Sequence, residues 1–503
     1  MAGMNDRKEK IMKNFWYLTV CFCLCLTVFL LRGQTLAFDT GHHRDLCNSA
    51  MADEGFLYDS QAVKIVALQN WLVDYYSERP TTGNDDFKII KAQLIYLHFD
   101  NLTSPELIGN YWTTLSNNMR RQVRLTAGEI KNAATEEERS KKILKMLTLL
   151  GASTHAVQDF YTHSDWAGYF PKTASYRSNT WFDTDPAMIP PKLKTGVYPN
   201  SNPVNGDTDH GDYLAGINKD SYSRPGFAEA YVFAYAASRQ WIRAVKNWSD
   251  EIDPDVWHKV VNYSVSESDA KDLEKDLTAS QRISEWIAVM GKDGAWKGKG
   301  SGSTADLAPF VLAWTTSHDS IFVDQFKQLH IHEGLTEGLD KPMPVKPEAA
   351  VPKFTMDRKT VEVRTIAVSA IDNPDGFLGK ADYYAVIDIA GQEFVEAMQF
   401  GRNSVEPAWL SIKFVPLDSA NIAVRYRLLD EDGGLSGKDD IADINPVKEK
   451  TALEFNFAPA TLNLSGDVSG IHSDPASAVV SKGSGDKDRA TVKFFVTSNP
   501  ITN

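Results

Sequence analysis

The pattern of apolar and polar positions changes character near Pro352. From Phe38 to about Leu339, apolar residues recur at helical spacing. Ala62 to Tyr76 is apolar enough for a buried helix. Phe87–Phe99, Lys141–His163 and Phe227–Val245 repeat the same period, the last after the Arg224-Pro225-Gly226 breaker. Between the third and fourth segments lies a long stretch rich in Pro, Asn, Asp, Thr and Tyr. Such a connection inside a compact domain is unusual and commonly functional. Lys341 to Pro352 reads as an extended, proline-rich linker. Beyond it the period falls to two, in Thr360–Ala370, Tyr384–Ile389, Leu410–Val415 and Ile422–Leu429, which predicts an antiparallel β-sandwich. Ser465 to Asp488, rich in Gly, Ser and Asp, reads as flexible, with Ala490–Thr497 able to return as a last strand. The predicted architecture is therefore multidomain: a signal peptide (1–37), an all-α domain (38–340), a linker (341–353), a β-sandwich (354–460) and a flexible tail (461–503).

The first residues set the compartment. Arg7, Lys8, Lys10 and Lys13 precede an unbroken apolar run from Phe15 to Leu31, and Thr35 to Ala37 offers small residues for cleavage. This is the plan of a secretory signal, the alternative being an uncleaved anchor. The expectation is a secreted or extracytoplasmic protein beginning at Phe38. Cys21, Cys23 and Cys25 fall in the signal, so Cys47 has no partner for an intramolecular disulfide. With 503 residues, 43% of them hydrophobic and 24% charged, the chain can build at least two cores. A net charge of -13 argues against a basic nucleic-acid groove, and no protein partner is identifiable.

The chemistry concentrates between Thr154 and Trp166. His155, Asp159 and His163 are spaced i, i+4, i+8, which aligns them along one helix face. Nitrogen and oxygen ligands so arranged suit zinc. A solvated polar stripe is the bland alternative, but Leu147, Leu149, Leu150, Val157 and Phe160 make the segment apolar, and buried His and Asp need partners. Asn70 and Asp74 lie one turn apart on an apolar helix, where a metal ligand and a helix–helix hydrogen-bond network fit equally well. His98 and Asp100 sit at a helix end, His42 and His43 near the new amino terminus, and His210 and Asp212 in the long connection. Each is weak alone; helical bundles can gather such a set into one core site.

The run from His155 to Trp166 resembles the H-x-x-Q-D-F-Y-x-H-S-x-W signature of the Het-C-like family. The resemblance extends in order through Asn70-Trp71-Leu72, Asp74-Tyr75, His98-Phe99-Asp100, His210-Gly211 and Gly216 to Ser221. The family's helical domain is similar to that of zinc-dependent phospholipases C and, more distantly, fungal zinc nucleases. The resemblance implies a zinc cluster held by the amine of Phe38, His42 or His43, Asp74, His98, His155, Asp159 and His163. It also implies phosphodiester hydrolysis, with Asp74 the candidate catalytic carboxylate. Asp100, Gln158 and Asp165 are then expected to orient the histidines from behind. Two features depart from the phospholipase pattern. His163 follows Asp159 more closely, and the helix from Phe227 lacks a late His-x-x-x-Glu or Asp pair, for which His210, Asp212 or Glu229 could substitute.

In the second half, Asp375, Asp382, Asp430, Asp432, Asp439 and Asp440 cluster at strand-to-loop junctions. Both segments resemble the calcium loops of C2 domains, each about one residue longer than the usual pattern. Acidic turns that keep a secreted domain soluble are the alternative. The resemblance implies calcium bridging to a phospholipid membrane surface. Three functions follow: a secreted phospholipase C-like hydrolase, a non-catalytic Het-C-like recognition or surface protein retaining the scaffold, and a zinc nuclease, against which the acidity counts.

Overall fold

A computed structural model describes residues 40–78, 85–197, 216–293, 320–332, 334–353, 355–372, 380–399, 401–430, 440–485 and 488–502. The proposed signal and Phe38 lie outside these residues. Among the described residues, no helix is long and apolar enough to cross a membrane.

The first half is helical. In chain order come α1 (Thr40–Asp53), α2 (Gln61–Glu78), α3 (Asp85–Leu94), a 3-10 turn (Ile95–His98), α4 (Pro105–Asn132), α5 (Glu136–His163), a short α6 (Trp166–Tyr169), α7 (Phe227–Asp250), α8 (Pro254–Val261), α9 (Glu267–Asp293) and α10 (Ile321–His332). The centre is α5. Thr135 starts it by accepting the Glu138 amide at 3.1 Å, and three glutamates in the first turn complement the helix dipole. Every residue from Ile143 to His163 is buried, because α2, α4 and α7 pack around it. A helix enclosed on all sides must satisfy its polar groups internally. Gly151 lets α2 approach: a Cβ there would lie 2.6 Å from both Gln69 Cβ and the Val66 carbonyl oxygen.

The second half is two facing antiparallel sheets. One contains β2 (Arg358–Ala370), β5 (Ser404–Val405), β6 (Leu410–Pro416), β12 (Val479–Lys482) and β13 (Ala490–Thr502). The other contains β3 (Tyr383–Ile389), β4 (Gln392–Val395), β7 (Ile422–Asp430), β8 (Asp440–Ala442), β9 (Leu453–Ala458), β10 (Asn463–Gly466) and β11 (Gly470–Ile471). Along β7, buried Ile422, Val424, Tyr426 and Leu428 alternate with more exposed neighbours, the period the sequence predicts. Phe494 on β13 stacks against Tyr426 and Phe455 of the other sheet at 5.4 and 5.6 Å between ring centroids.

The stretch read as flexible, Ser465 to Asp488, carries β11 and β12, and the expected last strand is present as β13. β13 pairs with β2 from Ala490↔Ala370 to Pro500↔Lys359 and with β12 on its other side. The Gly, Ser and Asp of this stretch serve turns between strands, so composition alone misleads, and the β-domain extends to Thr502. The long helix α4 is a further element the apolar runs did not mark.

The halves are joined by more than the linker. β1 (Tyr176–Arg177), from the long connection in the helical half, pairs in parallel with the end of β13. Tyr235 of α7 stacks on Phe414 of β6 at 3.5 Å between centroids. The linker itself lies along α4, where Asn117 bonds the backbone of Lys346, Glu348 and Ala349.

Candidate metal centre

Asp159 is the hub. Its Oδ2 lies 2.9 Å from His98 Nδ1 and 2.9 Å from His155 Nε2, and its Oδ1 lies 3.1 Å from His43 Nε2. Asp74, across from it on α2, has Oδ1 3.5 Å from His155 Nε2 and 3.7 Å from His98 Nδ1, and Oδ2 4.0 Å from His43 Nε2. The ligand atoms of His43, His155 and Asp159 all lie within 4.8 Å of one another, as do those of Asp74, His98 and His155. All five residues are buried. Local structure explains the convergence. His155 and Asp159 are one turn apart on α5. The 3-10 turn delivers His98, and Phe99 then reverses the chain in the left-handed region (φ 57°), a conformation bulky residues adopt only under tertiary constraint.

The outward nitrogens fix the histidine tautomers. His155 Nδ1 meets Asn70 Oδ1 at 3.1 Å, and His43 Nδ1 meets Gln158 Oε1 at 2.6 Å. Asn70 Nδ2 donates to Gln158 Oε1 at 3.0 Å, and Gln158 Nε2 donates to Ser238 Oγ at 3.2 Å, so both amide oxygens act as acceptors. His43 and His155 therefore carry their protons on Nδ1. Ser77 Oγ gives its proton to the Asp74 carbonyl at 2.9 Å, so at 3.0 Å it accepts from His98 Nε2. Each histidine thus turns its lone-pair nitrogen inward, toward the carboxylates. Burial, reinforced by His43 and His98 against the pull of Asp159, pushes the His155 pKa down to about 3. Burial alone would raise Asp159; it is positive charge on the His155 and His163 rings, when they are protonated, that pulls its carboxyl well below the usual range. Inward nitrogens and carboxylates gathered in a buried volume form a donor set that could hold a metal ion.

His163 takes a separate place. Its Nδ1 donates to the His98 carbonyl at 2.7 Å, with Asp100 Oδ1 at 3.4 Å, and its Nε2 faces Asp220 Oδ1 at 3.4 Å. Burial opposes its protonation, but Asp159, Asp100 and Asp220 override it and raise the pKa well above the ordinary value. The sequence assigns no role to Asp220 and Ser77: Asp220 meets His163 and Ser77 meets His98 through contacts between distant segments, which no local spacing encodes.

Of His42 and His43, the structure brings His43 to the cluster. His42 sits among Tyr222, Phe227 and Tyr231, at 5.9, 4.9 and 6.1 Å between ring centroids. Gln158 does orient a histidine, as does Asn70. Asp165 does not: its Oδ1 accepts the Lys194 amide at 3.1 Å, pinning a loop. Glu229 accepts the Lys172 amide at 3.3 Å. His210 and Asp212 lie outside the described residues.

In the β-domain, Asp382, Asp430 and Asp440 gather at one end of a sheet, with Asp430 opposite Tyr383 on one side and Asp440 on the other. Asp430 Oδ1 accepts the Asp382 amide at 2.5 Å, and Asp382 Oδ1 accepts the Gly401 amide. One oxygen of each buried carboxylate is therefore engaged by backbone, while Asp440 is exposed. Asp375, Asp432 and Asp439 lie outside the described residues.

No protein-family model matches the chain, and no curated protein matches it. Among solved structures it is similar to human GIVD cytosolic phospholipase A2, with 12% identity over 30% of this chain and 17% of that one and a TM-score of 0.19. It is also similar to the C2A and C2B domains of Extended-Synaptotagmin 2, with 13% identity over 31% of this chain and 46% of that one and a TM-score of 0.19. The C2A domain of plant Extended Synaptotagmin 1 gives 11% identity over 29% of this chain and 96% of that one, at 0.20. The chain thus spans less than half the length of the first two, and likenesses this slight assign no activity.

Proposed function

We propose that this chain is a secreted, Het-C-like, zinc-dependent phosphodiester hydrolase of phospholipase C type, brought to phospholipid surfaces by calcium at the acidic end of its β-sandwich. The observation that carries the reading is the tautomer pattern: three buried imidazoles with their outward N–H groups engaged turn their inner nitrogens onto two carboxylates. His43, Asp74, His98, His155 and Asp159 are the residues that would hold the metal. A set of three imidazoles and two carboxylates suits zinc over magnesium or calcium, which prefer all-oxygen shells. Zinc held there would supply Lewis acidity toward a phosphoryl oxygen and lower the pKa of water it binds.

The protein's own part is positional. Asn70, Gln158 and Ser77 hold the imidazole rings so that no reorganisation is needed. Asp74 stands farther from the histidines than Asp159 does, which makes it the carboxylate placed to accept a proton from an attacking nucleophile.

The engagement of Glu229 by the Lys172 amide favours a second reading, a non-catalytic Het-C-like recognition protein that keeps the metal as scaffold. A single assay separates the two. Zinc-loaded protein is incubated with phosphatidylcholine vesicles with and without calcium, and release of the phosphorylated head group is measured. Release by the wild type and none by Asp74→Asn supports the hydrolase; no release by zinc-loaded wild type favours the scaffold.

A further inference from the structure

The first helix has two working faces. His43 and Cys47, one turn apart, point into the bundle: His43 bonds Gln158, and Cys47 Sγ lies 3.4 Å from Asn70 Nδ2. Asp45, Ser49 and Asp53, spaced i, i+4, i+8, form a stripe on another side of the helix. That stripe meets the β-domain. Gln392, fully buried at the start of β4, accepts from Ser49 Oγ at 3.0 Å and donates to the Asp45 carbonyl at 3.3 Å. Lys413 Nζ donates to the same Gln392 oxygen at 2.7 Å, fixing the amide from behind. Arg358, at the start of β2, forks onto Asp53, with Nη2–Oδ1 2.8 Å and Nε–Oδ2 3.2 Å. Gln392 reaches this position because Ala390 and Gly391, at φ 53° and 82°, form a tight hairpin between β3 and β4.

An isolated helix of this length is marginal in water, so α1 keeps its place through tertiary contacts. We infer that the β-domain positions the metal centre: Gln392 and Arg358, by gripping the outer stripe of α1, hold His43 against Asp159. The β-domain is then a fixed part of the site as well as a surface module. This inference rests on the metal reading above.

The test uses the full chain with Gln392→Ala and Arg358→Ala combined. Zinc affinity is measured by chelator competition, and amide hydrogen exchange is followed across α1. Tyr176→Phe is the control, since it removes a buried interdomain bond to Glu362 (2.8 Å) that does not touch α1. Arg358→Lys keeps a cation opposite Asp53. The expected result is zinc binding weakened about tenfold or more in the double variant, faster exchange confined to α1, near-normal binding in Arg358→Lys and in Tyr176→Phe. Unchanged affinity and exchange in the double variant, or an equal loss in Tyr176→Phe, would overturn the inference. If wild-type protein binds no zinc, the metal reading fails by itself, and the exchange across α1 still decides whether the β-domain grips the helix.

Discussion

His98 Nδ1 and His155 Nε2 approach to 3.2 Å, each with its other ring nitrogen already bonded outward, to Ser77 and Asn70. Both face the same oxygen of Asp159. A single proton shared with Asp159 satisfies one of these nitrogens and leaves the other facing an anion. A divalent cation would satisfy them together, and this supports the proposal that the cluster is a metal centre.

On the proposed metal reading, the outward amides control affinity. Asn70→Ala removes the acceptor for His155 Nδ1–H and frees that ring to change tautomer. Zinc affinity is expected to fall about 10- to 100-fold, with Asn70→Asp, which retains an acceptor, falling less. Chelator competition gives the affinities, and nitrogen NMR of labelled histidine reports the tautomer directly.

The close crossing of α2 and α5 sets the spacing between Asp74 and Asp159. Gly151→Ala places a Cβ at 2.6 Å from Gln69 Cβ and the Val66 carbonyl, so the helices must separate. A loss of about 1–3 kcal/mol of stability is expected, accompanied by weaker zinc binding, because Asn70 and Asp74 move with α2. Urea unfolding with and without zinc measures both effects.

Lys219 is buried, with its ammonium on the carbonyls of Ser164 (2.5 Å) and Ile217 (3.0 Å). Burial lowers its pKa to about 8, with Asp165 and Asp220 pulling the other way. A depressed pKa means that the fold binds fewer protons than the unfolded chain between about 8 and the ordinary lysine value of 10.5. Its contribution to stability is thus present above the unfolded pKa and lost as pH falls through about 8. The full swing is about 3 kcal/mol. Wild type minus Lys219→Met stability, followed by denaturant unfolding from pH 7 to pH 10.5, should rise across that window; a flat difference would rule the linkage out.

Shortening the chain before Ala490 deletes β13, which pairs with β2 along its length and with β12 and β1. The β-domain is expected to lose its cooperative unfolding transition and to expose the apolar faces of β2 and Tyr426. Retention of a native transition after this deletion would contradict a structural role for β13.

Some of this was open to a reader of the sequence, for physical reasons. The helix period is fixed, so His155 and Asp159 one turn apart in an apolar segment must project together from a buried face. Strand alternation exposes β7 as plainly. The choice between His42 and His43 is different, since adjacent helical residues point about 100° apart and only packing says which faces inward. Asn70 and Asp74 each fulfil one of the two roles that spacing left open, the hydrogen-bond network and the cluster. Asp220 and the grip of Gln392 on α1 depend on contacts between distant segments, which carry no local pattern. The last strand, β13, was legible at Ala490–Thr497, whereas β11 and β12 were masked by a composition that serves turns.

The central claim is that the buried His43, Asp74, His98, His155 and Asp159 cluster holds a metal ion. The most direct measurement is the zinc content of the purified, chelator-washed protein beside a His155→Ala/Asp159→Ala variant of the same chain. The account predicts at least one tightly held zinc ion per wild-type chain and its loss in the variant. A wild type free of zinc after zinc loading, or a variant that retains as much, would contradict it.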